Sequence, residues 1–460
     1  MVSKFLTESR LTLALAIPIM AGQVSQMLMG LLDSAMVGRV GVTPLAASAF
    51  ANNLSSVPFV FGIGMLTCLS VRVSQSHGAS DERESGEHLR HGLALALAMG
   101  SILTAFVWLL SFHLHRFGQD PAVATEARPF LLLLGWSIIP AMIGLGLKQF
   151  SEALDHPWPP TLILLAAVPL NFVFNWVLIY GNLGFKPMGL EGAGWGTFLS
   201  RVISCLAMMI YVLKYPKIRA SLPEHWLRPM QSKRFESLLA IGIPASLQIL
   251  LEVGAFAGGA ILVGRLGAQA LAAHQIALSC ISTIFMLPLG LAVATTIRIG
   301  RALGSGELER VRSIGFSSFG MSLSVMSVTA ICLWLFGGAI ARGFVDNPEV
   351  ARLAARLLAV AAVFQLVDGL QVVSAGALRG LSDATIPMIV CFMAYWIIGL
   401  PMGYYATFTL GWGAVGIWCG FALGLLIVAF ILVWRFAIKS RYDRLSHLEI
   451  KPESTVLSLH

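Results

Sequence analysis

The chain is 460 residues long, 57% hydrophobic and only 12% charged, against roughly a quarter charged in an ordinary soluble domain. With a mean hydropathy of +0.80, that composition excludes a water-soluble globule and leaves a chain solvated mostly by lipid. The formal net charge of +8 would fit nucleic-acid binding in a soluble protein, but here the charges sit at the joints between apolar runs.

Apolar runs of about the 20 residues needed to span a bilayer recur along the chain. The first covers 10–37. It has no small-residue cleavage site, so it is expected to be a retained span rather than a signal peptide. Further spans are predicted at 45–73, 90–112, 125–150, 160–181 and 193–214. The longest joint, KYPKIRASLPEHWLRPMQSKRFES at 214–237, is basic, contains proline and falls at the midpoint. Six more spans are predicted at 236–264, 270–297, 311–340, 350–378, 385–407 and 414–438. The expected fold class is all-α integral membrane with twelve transmembrane helices. Its domains are an N-lobe over 1–213, a cytoplasmic linker over 214–235, a C-lobe over 236–438 and a polar, mobile cytoplasmic tail over 439–460.

Positive charge sets the orientation. With both termini in the cytoplasm, most of the 31 Lys and Arg residues face inward, Arg83, Arg90, Lys217, Arg219, Arg228, Arg310 and Arg312 among them. Arg39, Arg116, Lys186 and Arg265 face outward. The basic excess therefore orients the chain in a cell inner membrane, and no nucleic-acid partner is expected. Arg201 alone lies within a span, with no partner that the sequence assigns. Cys68, Cys205, Cys280, Cys332, Cys391 and Cys419 all sit in apolar runs without metal-ligand spacing and read as structural thiols.

The halves repeat at a constant offset. Pro18 matches Pro244, Val37-Gly38-Arg39 matches Val263-Gly264-Arg265, Leu45-Ala46-Ala47 matches Leu271-Ala272-Ala273, and Gly78 matches Gly304. An even number of spans separates the copies, so both halves point the same way, as in transporters built from parallel repeats. A cleft between such halves suits alternating access.

A carboxylate at the bilayer centre costs roughly 2.5–3.5 kcal/mol on insertion scales, so acids there mark a function or a partner. Asp33, Glu252 and Asp368 are the acids placed deep in spans. Asp33 shares a helical face with Gln26 and Met29. Glu252 lies between Gln248 and Phe256, and Asp368 shares a face with Phe364 and Gln371. Asn171 and Asn175 present two amides on one face of the fifth span, while His274 and Gln275 open the eighth. At matched positions Glu252 falls on Gln26 and Asp33 on Gly259, so the halves are chemically unequal. Each polar group also has a packing role open to it, in hydrogen bonds within or between helices. A carboxylate held away from water can exchange a proton, Na+ or an organic cation at one place. If only occupied forms switch between inward and outward states, the exchange is antiport.

PIMAGQVSQMLMGLLDSAMVGRVG (18–41), VGRLGAQALAAHQIAL (263–278) and ALRGLSDATIPM (377–388), in that order, resemble the multidrug and toxic compound extrusion (MATE) family, in its NorM-like branch. The resemblance covers about 8–438. It implies two six-helix lobes around a V-shaped cleft, and efflux of cationic small-molecule drugs in exchange for Na+ or H+ as coupling ion, with no resident cofactor. It maps cation-binding residues onto Glu252 and Asp368, the Na+ candidates, and onto Asp33, Asn171 and Asn175. Gln26, Met29, Gln248, Phe256, Gln275 and Phe364 are expected to line the substrate cavity. Pro18 is the implied hinge, with Pro244 as its repeat counterpart, and a monomer is expected. Two positions depart from the family pattern. Phe364 stands where NorM-like proteins often carry Tyr, which removes a hydroxyl ligand. Asn175 stands where some members have a second Asp.

Two rival readings are a flippase for lipid-linked precursors from the wider superfamily and an integral-membrane enzyme. The acidic cleft candidates favour cationic cargo over pyrophosphate. The chain shows no HExxH, nucleophile elbow or Walker A motif to support an enzyme or an ATP-driven pump.

Overall fold

The computed structural model describes residues 2–445. Among them, 12 helices are long and apolar enough to cross a membrane, and no strand occurs. They are α1 Val2–Gly38, α2 Val42–Gly78, α3 Glu82–Ser111, α4 Pro121–Ala153, α5 Trp158–Tyr180 and α6 Gly189–Lys214. The second half supplies α7 Ser232–Gly264, α8 Ala268–Gly304, α9 Leu308–Phe344, α10 Pro348–Gly380, α11 Thr385–Thr409 and α12 Ala414–Lys439. The polar tail read from 439 onward includes a short helix, Tyr442–Leu445; the rest of it, 446–460, lies outside the described residues.

Local chemistry starts several of these helices. Asp81 accepts from Glu84 N at 2.9 Å, Asp120 from Ala122 N at 2.8 Å and Asn347 from Glu349 N at 2.9 Å, each satisfying a donor that has no intrahelical partner. Helices α2 and α8 run past their predicted spans of 45–73 and 270–297. Their last turns carry polar residues such as Ser74, Gln75, Arg298 and Arg301, which read as joint in a hydropathy pattern but remain helical. Helix α11 is interrupted by wide π turns at Met393–Gly399 and Tyr405–Thr409.

The described chain forms two compact units. One is built from the start of the chain to Met20, Ser74–Ser80 and everything described from Leu251 on; the other from Ala21–Val73 and Asp81–Leu250. Helices α1 and α7 therefore each begin in one unit and end in the other. In the first unit α10 is central, packing on α8, α9 and α12; in the second, α4 packs on α3 and α6, and α6 on α5.

The repeat explains the exchange. A Cβ on Gly290 of α8 would lie 2.9 Å from Met20 N of α1, and one on Gly64 of α2 would lie 2.5 Å from Ser246 Cα of α7. Gly64 and Gly290 are repeat counterparts, as are Met20 and Ser246, so one close helix crossing occurs once in each unit. Hydrogen bonds reinforce both crossings. Ser246 Oγ donates to Phe61 O at 2.9 Å. At the start of α1, Glu8 is clasped by Arg298 and, at 2.9 Å, by Arg310 Nε, and Arg298 Nη1 also donates to Glu8 O at 2.7 Å.

The repeat-matched Gly78 and Gly304 also meet. A Cβ on Gly78 would stand 2.1 Å from Arg301 O, and one on Gly304 1.9 Å from Gln75 O. Only glycine lets these two helix ends touch backbone to backbone. The joint at 214–237 is anchored to the start of α3. Gln231 N donates to His91 Nε2 at 3.0 Å, Arg90 donates to the Arg228 and Pro229 carbonyls, and Arg234 pairs with Glu84.

Gly304→Val is expected to destabilise the protein by about 1–3 kcal/mol, the usual cost of overpacking. Gly338→Val, at a site with no atom within 4 Å of the added Cβ, should be nearly neutral. Thermal unfolding of the purified protein in detergent compares the two.

Candidate functional site

Two polar groups stand out, one in each unit. In the unit containing α5 and α6, Asn171 and Asn175 lie one turn apart, both fully buried. Asn175 Nδ2 donates to Asp33 Oδ1 at 2.6 Å and to Asn171 Oδ1 at 3.2 Å. Thr197 Oγ1 approaches Asp33 Oδ2 at 3.3 Å and the Ala193 carbonyl at 3.0 Å. Gly196 makes this cluster possible, because a Cβ there would sit 2.1 Å from Asn175 Oδ1. Asp33, Asn171 and Asn175 are thus brought together. Of their neighbours on α1, Gln26 is exposed and Met29 half-buried, and neither contributes a hydrogen bond to this group.

Arg201 has partners after all. One turn beyond Thr197, its Nη1 donates to Ser137 Oγ at 2.7 Å and its guanidinium lies over the Phe59 ring at 4.8 Å. Its charge is felt at Asp33, yet the two form no direct ion pair.

In the unit containing α10, Glu252 and Asp368 are both buried, at 9% and 5% exposure. Gln371 and Tyr395 lie within hydrogen-bonding reach of the Glu252 carboxylate, and the charge of Glu252 acts on Asp368. No direct ion pair reaches either acid among the described residues. Arg379, on α10, is buried and close enough for its charge to act on Glu252. A phenylalanine stands one turn from each acid along its helix, Phe256 after Glu252 and Phe364 before Asp368. Phe364 packs on Trp418 with ring centroids 5.5 Å apart, and Phe256 on Phe421 at 4.7 Å. Trp418 Nε1 donates to His274 Nδ1 at 3.0 Å, which places the imidazole proton on Nε2, where it has no partner. Gln248, one turn before Glu252, is buried with its Oε1 unpartnered, whereas Gln275 is exposed. The unequal halves have a steric basis. At Gly259, the counterpart of Asp33, a side chain would run into Phe421, whose Cζ lies 2.3 Å from the added Cβ.

Other buried acids behave differently. Glu152 pairs with Lys148 at 2.9 Å within α4, and Glu8 with Arg298 and Arg310. These are neutralised where they stand. Asp33, Glu252 and Asp368 form no such direct ion pair among the described residues. No group of three or more His, Cys, Asp or Glu side chains clusters among the described residues, so a bound alkali ion would need amide or hydroxyl oxygens as well. Thr197 and Tyr395 are contacts that the sequence pattern did not single out. The only signal was a hydroxyl within an apolar run.

Twelve membrane-length helices in two repeated halves define an integral-membrane protein. Comparison gives the family. The MatE family model matches residues 18–177 and 244–405. The "Probable multidrug resistance protein NorM" of Xylella fastidiosa (strain 9a5c) is 35% identical over 444 residues, covering 95% of this chain and 94% of the relative. Its namesake from Mesorhizobium japonicum is 36% identical over 443 residues, 94% of each. Among solved structures, the eukaryotic MATE transporter AtDTX14 superposes with a TM-score of 0.86 at 21% identity, over 96% of this chain and 99% of that one. The Vibrio cholerae MATE transporter VcmN in the bent form gives 0.85 at 18%, with the same coverage. The chain belongs to the MATE family; it is a transporter and not an enzyme.

Gly196→Ala should displace the Asn175 amide from Asp33. We expect a loss of transport of about tenfold or more, from one buried charge-assisted hydrogen bond, with membrane insertion unchanged. Transport and expression measured on the same vesicles separate the two effects.

Proposed function

We propose that this protein is a secondary multidrug efflux antiporter that exports organic cations in exchange for Na+ or H+ by alternating access. One observation carries the reading: Glu252 and Asp368 are both buried, close enough for the charge of one to act on the other, and have no direct ion pair among the described residues. Two like charges so placed repel each other and are poorly solvated, so the site gains most from a cation that enters and is not covalently fixed. A coupling ion and a bulky organic cation would compete for the same carboxylates, with the Phe256, Phe364 and Trp418 rings offering π faces to the cargo. The names of the NorM relatives support a drug cargo, and the Asp33–Asn171–Asn175 group is proposed as a second cation site.

Alternating access needs a place to bend. Pro18 and Pro244 fill that role in this reading. Each removes a backbone donor within its helix, and each lies a few residues before the point where α1 or α7 passes from one compact unit to the other. In this reading the protein is a monomer in the cell inner membrane, and the positive-inside bias supports both termini being cytoplasmic.

Reconstituted protein is expected to expel ethidium from vesicles when an inward Na+ or proton gradient is imposed. Asp368→Asn and Glu252→Gln should each abolish gradient-driven efflux while the size-exclusion profile stays that of the native protein. Normal transport by both variants would refute the carboxylate mechanism. Imposing each gradient separately identifies the coupling ion.

A further inference from the structure

The joint at 214–237 is pinned at both ends and bare in the middle. Gly86, in the second turn of α3, lets the joint close in, since a Cβ there would stand 2.8 Å from Leu222 C and Pro223 N. Ile218, on the short helix Pro216–Arg219, and Ser221 are buried. At the far end the Arg228 and Pro229 carbonyls accept from Arg90, and Gln231 N donates to His91 Nε2 at 3.0 Å. Between these pins Trp226 is 43% exposed, Leu227 100% and Met230 46%. Three large apolar side chains within five residues, on a segment held this firmly, form a patch rather than scattered exposure.

The pins also fix the depth of the patch. Arg90 and His91 stand where the apolar run of α3 begins, so the joint bonds to α3 at the level where that helix enters hydrocarbon. Tryptophan is favoured at this level of a bilayer, among the headgroups. The charge suits a lipid surface as well. Residues 214–237 hold six Lys and Arg against two Glu. Arg234 is paired with Glu84, whereas Lys217, Arg219, Arg228 and Lys233 are exposed and form no ion pair among the described residues. Arg228 lines a small surface pocket with Arg83, His225, Glu87 and Glu224, where Glu87 is already bonded to Arg90.

We propose that residues 226–233 form an interfacial anchor. Trp226, Leu227 and Met230 enter the cytoplasmic leaflet, and Arg228 and Lys233 hold the phosphates of its anionic lipids. A basic segment beside a membrane is drawn to anionic headgroups, and apolar side chains next to it turn that attraction into insertion. The anchor rests on the orientation proposed above, with this joint cytoplasmic, and not on which ion or drug is carried.

The test puts an environment-sensitive fluorophore on Leu227→Cys in the full chain, with the accessible Cys280, Cys332 and Cys419 replaced by alanine. Vesicles of phosphatidylcholine alone are compared with vesicles that also contain phosphatidylglycerol, alike in both leaflets. Quenching by a lipid spin-labelled near its headgroup is expected to rise about threefold with the anionic lipid, while quenching by aqueous acrylamide falls. Arg228→Gln combined with Lys233→Gln should return lipid quenching to its phosphatidylcholine level. Arg90 bonds the carbonyl of Arg228 and not its side chain, so this variant keeps the joint pinned. Should the labelled protein fail to fold, the tryptophan emission lost in Trp226→Phe, quenched by brominated lipid, gives the same reading. A label open to acrylamide in both vesicles overturns the anchor. So does a label shielded from both quenchers, because protein then covers the patch, and so does lipid quenching that ignores phosphatidylglycerol and the two substitutions. No transport is measured, so these failures leave the antiporter reading standing. Absence of wild-type ethidium efflux under both gradients would defeat that reading and not this one.

Discussion

A carboxylate inside a membrane must be neutralised by something, and the source of that neutralising charge organises this protein. Glu8 and Glu152 carry their own counter-charges in Arg298, Arg310 and Lys148, and they hold helices in place. Asp33 has an amide and a hydroxyl as direct neighbours instead, Glu252 faces Gln371 and Tyr395, and Asp368 feels the charge of Glu252. Insertion of such a group costs roughly 2.5–3.5 kcal/mol, a cost that a bound cation would offset on the proposed mechanism. On the proposed antiport mechanism, that difference between paired and unpaired acids decides which of them a cation can occupy.

The scaffold is arranged to keep those acids dry and their neighbours fixed. Small residues at crossings bring backbones together, as membrane helices require where hydrophobic attraction between them is absent. Gly196 admits Asn175, Gly259 admits Phe421, and Gly64 and Gly290 admit the exchanged helices α7 and α1. The duplicated crossing at Gly64 and Gly290 is the structural form of the sequence repeat. It also means that α1 and α7, which carry Asp33 and Glu252, each pass between compact units within the same stretch that holds a proline.

Much of this was legible in the sequence because hydropathy and repetition are coarse, strong signals. The twelve spans, the midpoint joint and the Gly78–Gly304 match follow from runs and offsets that no side-chain detail disturbs. The acids were legible for the same reason, since a charge in hydrocarbon is conspicuous. Four things were not. The continuation of α2 and α8 into polar residues is invisible to hydropathy. The exchange of α1 and α7 depends on tertiary packing, which the repeat permits but does not specify. The π turns of α11 shift the face on which Tyr395 points, so a regular helical projection of 385–407 gives no reason to select it. Arg201 looked unpartnered because Ser137 and Phe59 come from other helices.

On the proposed mechanism, coupling ions and organic cations occupy the same unpaired carboxylates in turn. Equilibrium binding of radiolabelled tetraphenylphosphonium to the purified protein, with Na+ and pH titrated, addresses this without any membrane gradient. Competitive displacement by Na+ or by protons, with the total number of sites unchanged, is the expected result. Binding indifferent to both ions across the titration would contradict the account.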